Sequence, residues 1–443
     1  MADVAQRHAD ARLTPSRPTR TTDTASRERD TTVTAVLTAP AGTLDEISAD
    51  LRARLDAWLA DHEAELVELR RRIHASPELS GQERATAALV ASRLRAAGLR
   101  PRLLANRNGV ICDIGSRGRT VALRADLDAL PLPDTKDVPY HSTVDGVCHA
   151  CGHDVHTTIL VGAARVLAEL NRDGALPGRV RLLFQPSEEQ MPSGAPQVIA
   201  EGGLKDVESI YALHCYPQLP AGYAAVRTGP MTAAADKIDI RLTGPGGHTA
   251  RPHLTVDLAY ALGRIVVEVP ALLSRRLDPR AAASLVFGAI QVGDAFNAIA
   301  GEGRARGTVR VLSHEGWQRL PELVPQLVRD VVAGTGAEVE IDYMRGVPPV
   351  VNHRDTTSVL EAAARAALGP GRLSEAEVSM GGEDFAFYLE QVPGTMFRLG
   401  VGRADVTEPM DIHQSSFDID EAAIGAGVRV MVHTALAALT SGD

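Results

Sequence analysis

Residues 147–156 read Val-Cys-His-Ala-Cys-Gly-His-Asp-Val-His and gather two thiols, three imidazoles and a carboxylate in one short stretch. The whole chain has only four Cys and fourteen His. Thiolate and imidazole are the ligands that zinc and related divalent ions prefer. Gly152 relaxes the backbone so that Cys151 and His153 can turn toward one ion. The chemistry indicated is a metal centre. Cys148-x-x-Cys151 also fits a redox pair or half of a structural zinc site. A structural site wants a second Cys pair, and the other thiols, Cys112 and Cys215, are far apart in sequence. His149 and His156 read as hydrogen-bonding neighbours of the ligands.

Glu188 and Glu189 follow the apolar run Leu182-Leu183-Phe184 and Pro186. Adjacent carboxylates are usually solvated, but these two leave a strand of buried type. In extended chain they point opposite ways, so one is free to hold metal while the other faces a water. Metal-assisted hydrolysis uses that division, with a Lewis acid to acidify water and a carboxylate to carry its proton. His214 stands at the end of another apolar run, and His413 lies in a late loop. Met380-Gly381-Gly382-Glu383-Asp384-Phe385 is a Gly-Gly turn before acidic residues, which also suits a helix N-terminus.

Several elements must position these groups. Apolar spacing predicts helices over 44–75 and 83–97, the second stopping at Gly98. Strands are expected at 110–114 and 120–124, the latter running into Asp126 and Asp128. A helix over 155–170, a strand at 179–184, a helix from 196 and a strand at 209–213 follow. Three strands then end in ligand-type residues, as a parallel sheet with one working edge would produce. From 237 the pattern changes to strand, helix, two strands, helix and strand (237–242, 256–274, 284–292, 304–311, 315–333, 338–343), which suits a ferredoxin-like α+β unit. The α/β pattern returns with a helix at 356–368, a strand at 396–399 and a final helix from 421. This divides the chain into a disordered tail (1–42), a catalytic domain in two parts (43–232 and 346–443) and an insertion (233–345).

At 443 residues, with 44% hydrophobic and 23% charged residues, the chain is an ordinary globular protein of two or three domains. A net charge of −10 argues against a nucleic-acid binder. No apolar run approaches the roughly 20 residues of a membrane span. Four Cys make no disulfide framework, which points to the reducing cytosol.

Taken together, Arg72–Leu79 (Arg-Ile-His-Ala-Ser-Pro-Glu-Leu) with Glu83, and the stretches 126–131, 148–156, 184–189, 246–253, 307–310 and 381–385 with His413 and Phe417, resemble the dinuclear metal amidohydrolases. That family includes hippurate hydrolase, auxin-conjugate hydrolases and N-acyl-amino-acid amidohydrolases. The resemblance spans residues 70–420. It implies an α/β zinc-exopeptidase-like catalytic domain with an inserted α+β ferredoxin-like lid, commonly the surface of a homodimer or homotetramer. It implies two divalent ions, zinc or manganese, with cobalt or nickel as further fits. Cys151 corresponds to a bridging thiolate, and His153, Glu189, His214 and His413 to the remaining ligands. Glu188 corresponds to the general base. His248, Asn297 and Arg310 correspond to lid groups that polarise the scissile carbonyl or hold the substrate carboxylate, some from the partner subunit. Asp126 and Asp128 correspond to groups that orient the metal histidines. The implied reaction is hydrolysis of an N-acyl amino acid to a carboxylic acid and an amino acid. A dipeptidase or carboxypeptidase reaction at the same site is the alternative.

The sequence departs from the family pattern at Arg251, where an apolar residue is usual after the lid His. Ala300 replaces a Pro, and Gln414-Ser415-Ser416 replaces the usual Ser-Pro after His413. The first two bear on acyl preference and lid geometry.

Overall fold

The structure is a computed structural model describing residues 41–406 and 410–441. The tail expected over 1–42 lies outside the described residues, apart from its last two, which begin the first helix. Ile47–Asp443 forms one compact unit.

The chain opens with helices α1 (Ala41–Ala75) and α2 (Arg84–Ala96), then strands β1 (Arg102–Leu103), β2 (Val110–Ile114) and β3 (Thr120–Asp126). There follow α3 (His153–Arg172), β4 (Arg179–Gln185), α4 (Gly194–Ala200), β5 (Ser209–Pro220), β6 (Ala224–Val226) and β7 (Gly229–Thr232). The inserted part holds β8 (Ala234–Thr243), β9 (Gly247–His248), α5 (Leu258–Arg276), β10 (Ser284–Val292), β11 (Ala298–Ile299), β12 (Glu302–Val311), α6 (His314–Val332) and β13 (Glu338–Val347). The chain closes with β14 (Val350–Asn352), α7 (Arg354–Leu368), β15 (Leu373–Glu375), α8 (Ala386–Leu389), β16 (Gly394–Gly402) and α9 (Ala422–Thr440).

The large sheet has the order β1-β2-β4-β3-β5-β16-β6-β15. Its centre, β4, β3, β5 and β16, is parallel. Side chains alternate across it, as the strand period requires. Val121, Leu123 and Ala125 of β3 and Phe397, Leu399 and Val401 of β16 join the core under α1, α2, α3, α7 and α9. Ala122, Ile210, Ala212 and Met396 join the core under α4 and α8. The result is a three-layer α/β/α body.

The second sheet, β10-β12-β8-β13, is antiparallel. With α5 and α6 on one face it encloses its own core of Ile238, Ile240, Leu242, Leu262, Ile265, Leu320 and Leu327. Strand order and connection reproduce the ferredoxin-like expectation.

Two expectations change. His214 does not end its strand, because β5 continues to Pro220 by pairing with β16 after β3 stops pairing at Ala212. And α9 is long and apolar enough to cross a membrane, but it lies buried in the core against α3 and α7.

Candidate metal centre and active site

The end of β3 and the start of α3 build one side of the site. Gly152 takes φ +89°, and a Cβ there would lie 2.7 Å from the Cys215 Sγ, so only glycine fits this turn. The turn places Cys151 and His153 at the helix N-terminus. His153 Nδ1 lies 3.1 Å from Asp128 Oδ1, which leaves Nε2 facing the site. Asp128 is itself held by the Ser80 hydroxyl at 2.6 Å and the Glu189 amide at 2.9 Å. His156 Nδ1 lies 2.7 Å from Asp126 Oδ1, and its Nε2 accepts from the Cys215 amide at 2.9 Å. It therefore joins the β3 end to β5, one residue from His214, and is spoken for at both nitrogens, as a hydrogen-bonding neighbour should be.

The segment after β4 contributes Glu188 and Glu189. Ser187 takes φ +51°, so the chain bends here instead of running extended. Glu83 pins this bend by accepting from the Ser187 amide at 2.7 Å. The expectation that the two glutamates diverge is corrected: Glu188, Glu189 and His153 each offer a ligand atom within 4.8 Å of one another. The turn, not strand alternation, sets their direction.

His214 on β5 puts its Nε2 3.5 Å from the Cys151 Sγ. His413 reaches in from the loop before α9 and lies 3.1 Å from Glu189 Oε1. Its φ of +63° is unusual for a residue with a side chain, and such backbone persists where its surroundings enforce it; its amide donates to the Ala150 carbonyl at 2.7 Å.

Among the described residues five ligand-type triads result, and two of them share Cys151. Cys151, His153 and His214 form one, and Cys151, Glu189 and His413 the other, each with ligand atoms within 4.8 Å. The thiol common to both is Cys151. Cys148, in contrast, enters no such group among the described residues. The donor set fits metal on a second count: His153 Nε2 is buried without a hydrogen-bond partner. Orphaned polar atoms of this kind are rare in folded proteins unless something is meant to satisfy them.

Burial and crowded carboxylates dominate the electrostatics of the site. Burial opposes it, yet Asp126 and Asp128 hold the proton affinity of His153 up to about 10. Burial, and then Arg398, push His214 well below its usual value, leaving a neutral imidazole. Burial and the charges of Glu383, Glu189 and Asp384 raise the Glu188 carboxyl well above the carboxylate range.

Sequence reasoning missed a buried polar hub behind Glu188. Arg124, 1% exposed, donates to Asp126 at 2.6 Å, Asp384 at 2.8 Å and Gln185 at 2.9 Å, and pairs with Glu383 at 3.2 Å. Glu383 and Asp384 do lead into a helix, α8, with Glu383 accepting from the Phe385 amide at 3.0 Å, but both are buried against Arg124. The signal was an arginine inside the apolar strand Thr120–Asp126.

The lid residues are placed less centrally. Arg310 donates to the Met380 carbonyl at 2.6 Å, beside the Gly-Gly turn that leads to Glu383. His248 and Asn297 sit together on the exposed β9–β11 ribbon, with the Thr249 amide donating to the Asn297 carbonyl at 3.1 Å. Neither lines the cleft of about 330 Å³ that opens over Glu188 and Glu189 and is walled by Met191, Ala235, Lys237, Val347 and Glu383.

Comparison with known proteins matches residues 122–437 to the peptidase family M20/M25/M40. The chain is 36% identical over 369 residues to an N-acetyl-L-cysteine deacetylase of Bacillus subtilis, covering 83% of this chain and 86% of that one. It is 47% identical over 371 residues to a putative glutamate–cysteine ligase of Rhodococcus jostii, but spans only 46% of that longer protein. A solved Bacillus subtilis structure, described as a dinuclear metal-binding peptidase from the M20 family, superposes with a TM-score of 0.75 at 32% identity, covering 86% of this chain and 99% of that one. With the matched region carrying Asp126, both glutamates, the cysteine turn and three of the histidines, the chain belongs to peptidase family M20/M25/M40 and is a hydrolase.

Proposed function

We propose that this enzyme hydrolyses the amide bond of N-acyl amino acids, releasing a carboxylic acid and a free amino acid, with two divalent ions, zinc or manganese, that Cys151 would help to hold. The observation that carries the reading is the single thiol common to two ligand groups. His153 and His214 would complete the shell of one ion, Glu189 and His413 that of the other. When bound, such ions supply Lewis acidity, lowering the pKa of water and polarising a carbonyl.

The chain's own residues supply the rest. Glu188 belongs to neither Cys151-centred group, so its carboxylate is left to take a proton from the attacking water and return it to the leaving amine nitrogen. Asp128 and Asp126 hold His153 and His156 in orientation, and Arg124 neutralises the carboxylates packed behind Glu188. Residues 233–345 act as the lid, and His248, Asn297 and Arg310 meet the substrate when it closes, in part across a homodimer or homotetramer joined through that lid. Exposed Phe296, Val286 and Ile290 on the lid support such a surface. Four buried, unpaired thiols support a reducing, cytosolic setting.

The test is a hydrolysis screen of metal-loaded enzyme across N-acetyl, N-benzoyl and indole-acetyl amino acids, with dipeptides as competitors and bound metal counted. Release of free amino acid from N-acyl substrates with two ions per chain is expected. Faster cleavage of dipeptides, or one ion per chain, would refute it.

A further inference from the structure

Two buried arginines of this protein are saturated with carboxylates. Arg70 meets Asp154, Asp418 and Glu421, and Arg124 meets Asp126, Glu383 and Asp384. A third is not. Arg398, on β16, is 8% exposed, and among the described residues it has neither an ion pair nor a side-chain hydrogen bond. The anionic and phenolic groups that act on it, Glu383, Cys151, Tyr216 and Asp411, do so only through space.

Its position is defined by the sheet. Arg398 is the cross-strand neighbour of His214, and Gly400 of Tyr216. Its side chain therefore shares the face of His214, and its guanidinium carbon lies 5.7 Å from the centre of the Tyr216 ring. Among the described residues, the carboxylates whose charge acts on it are engaged elsewhere. Glu383 accepts from the Phe385 amide at 3.0 Å and pairs with Arg124 at 3.2 Å. Asp411 accepts from Gln218 at 3.2 Å and from the Ile412 amide at 2.9 Å. Arg310, which resemblance offers as a carboxylate holder, is itself engaged with the Met380 carbonyl. The guanidinium nitrogens keep access to solvent on the face shared with His214, where an incoming carboxylate can meet them. The planar fork of a guanidinium is shaped for a carboxylate.

We propose that Arg398 is a specificity-determining residue that binds a carboxylate of the substrate beside the metal ligands. This rests on the amidohydrolase reading and adds to it the residue, on the catalytic sheet, that reads a substrate carboxylate. The carboxylate has two sources, the α-carboxylate of the amino acid or one ending the acyl group. Three compounds separate them: N-acetyl-L-methionine, its α-carboxamide, and N-succinyl-L-methionine amide. Wild-type enzyme prefers one anionic compound over the neutral amide by roughly 30-fold or more, the scale of a charge-assisted bond. Which one it prefers names the source. Arg398→Met lowers kcat/KM on all three, but at least tenfold more on the preferred anion, and Arg398→Lys recovers part of the preference. Bound metal and circular dichroism are read on each variant; if Arg398→Met does not fold, Arg398→Lys alone must narrow the preference. Equal losses on all three compounds, or an unchanged preference in the folded variants, would overturn the assignment. Failure of the wild type to cleave any N-acyl amino acid of the wider screen overturns the amidohydrolase reading itself, whereas cleavage without an Arg398-dependent preference overturns only the role of Arg398.

Discussion

Replacing Arg124 by Met removes a guanidinium from a buried set of acids. The guanidinium serves Asp126, Asp384, Glu383 and Gln185 together, and every partner carboxylate is 4% exposed or less. Summing four bonds to a charged group at roughly 1.5–3 kcal/mol each overshoots, because the stranded carboxyls can take up a proton instead. Breaking a buried pair from one side costs about 3–5 kcal/mol, and that is the expected deficit near neutral pH. Asp384 shows why proton uptake is within reach. Burial raises its proton affinity, Arg124 lowers it and Glu383 raises it, and the balance already stands at about 7. Without Arg124 it rises further. A folded-state pKa raised above the unfolded value of about 3.9 gives stability that is present at low pH and lost as pH rises through the folded value. The deficit of Arg124→Met relative to wild type should therefore be largest at about pH 8 and narrow toward about pH 5.5. Urea unfolding at fixed metal concentration, followed by circular dichroism at several pH values, measures it. A deficit under about 1 kcal/mol at pH 8, or one that widens on acidification, would refute the reasoning.

Three further outcomes are expected. Glu188→Gln should keep both metal equivalents and lose about 10²–10⁴-fold in kcat, the range for a general base; near-normal turnover at full occupancy removes Glu188 from that role. Asp128→Asn should weaken metal affinity about 10–100-fold, because Asp128 holds both His153 Nδ1 and the Glu189 amide; chelator competition reads this, and unchanged affinity contradicts it. Gly152→Ala should destabilise by about 2–4 kcal/mol, combining left-handed strain with the crowding of Cys215, and a variant within about 0.5 kcal/mol of wild type in urea would show that the turn relaxes freely.

How much was legible in the sequence follows from how local each signal is. Hydrophobic spacing marked Leu51, Leu55, Trp58, Leu59, Leu66, Leu69 and Ile73 for the inner face of α1; six are buried and Leu51, near the start, is half-buried. The insertion showed itself through alternation along β8 and the element order around it, since a ferredoxin-like unit is assembled from neighbours in sequence. The cysteine-histidine stretch and the paired glutamates announced metal chemistry because ligand types cluster there.

What sequence spacing left undecided was set by contacts between distant segments. Strand alternation separates Glu188 from Glu189, but the left-handed Ser187 turned both into one cavity. The arginines gave no periodic signal: Arg124 and Arg398 sit within apolar strands, and whether a buried cation is satisfied depends on carboxylates hundreds of residues away. Only the fold shows Arg124 enclosed by Glu383 and Asp384, and Arg398 beside His214 without an ion pair among the described residues. Backbone periodicity is a property of neighbours along the chain, so it fixes elements. Charge compensation acts through space at a few ångströms, so it is decided when the sheet brings β3, β5 and β16 together.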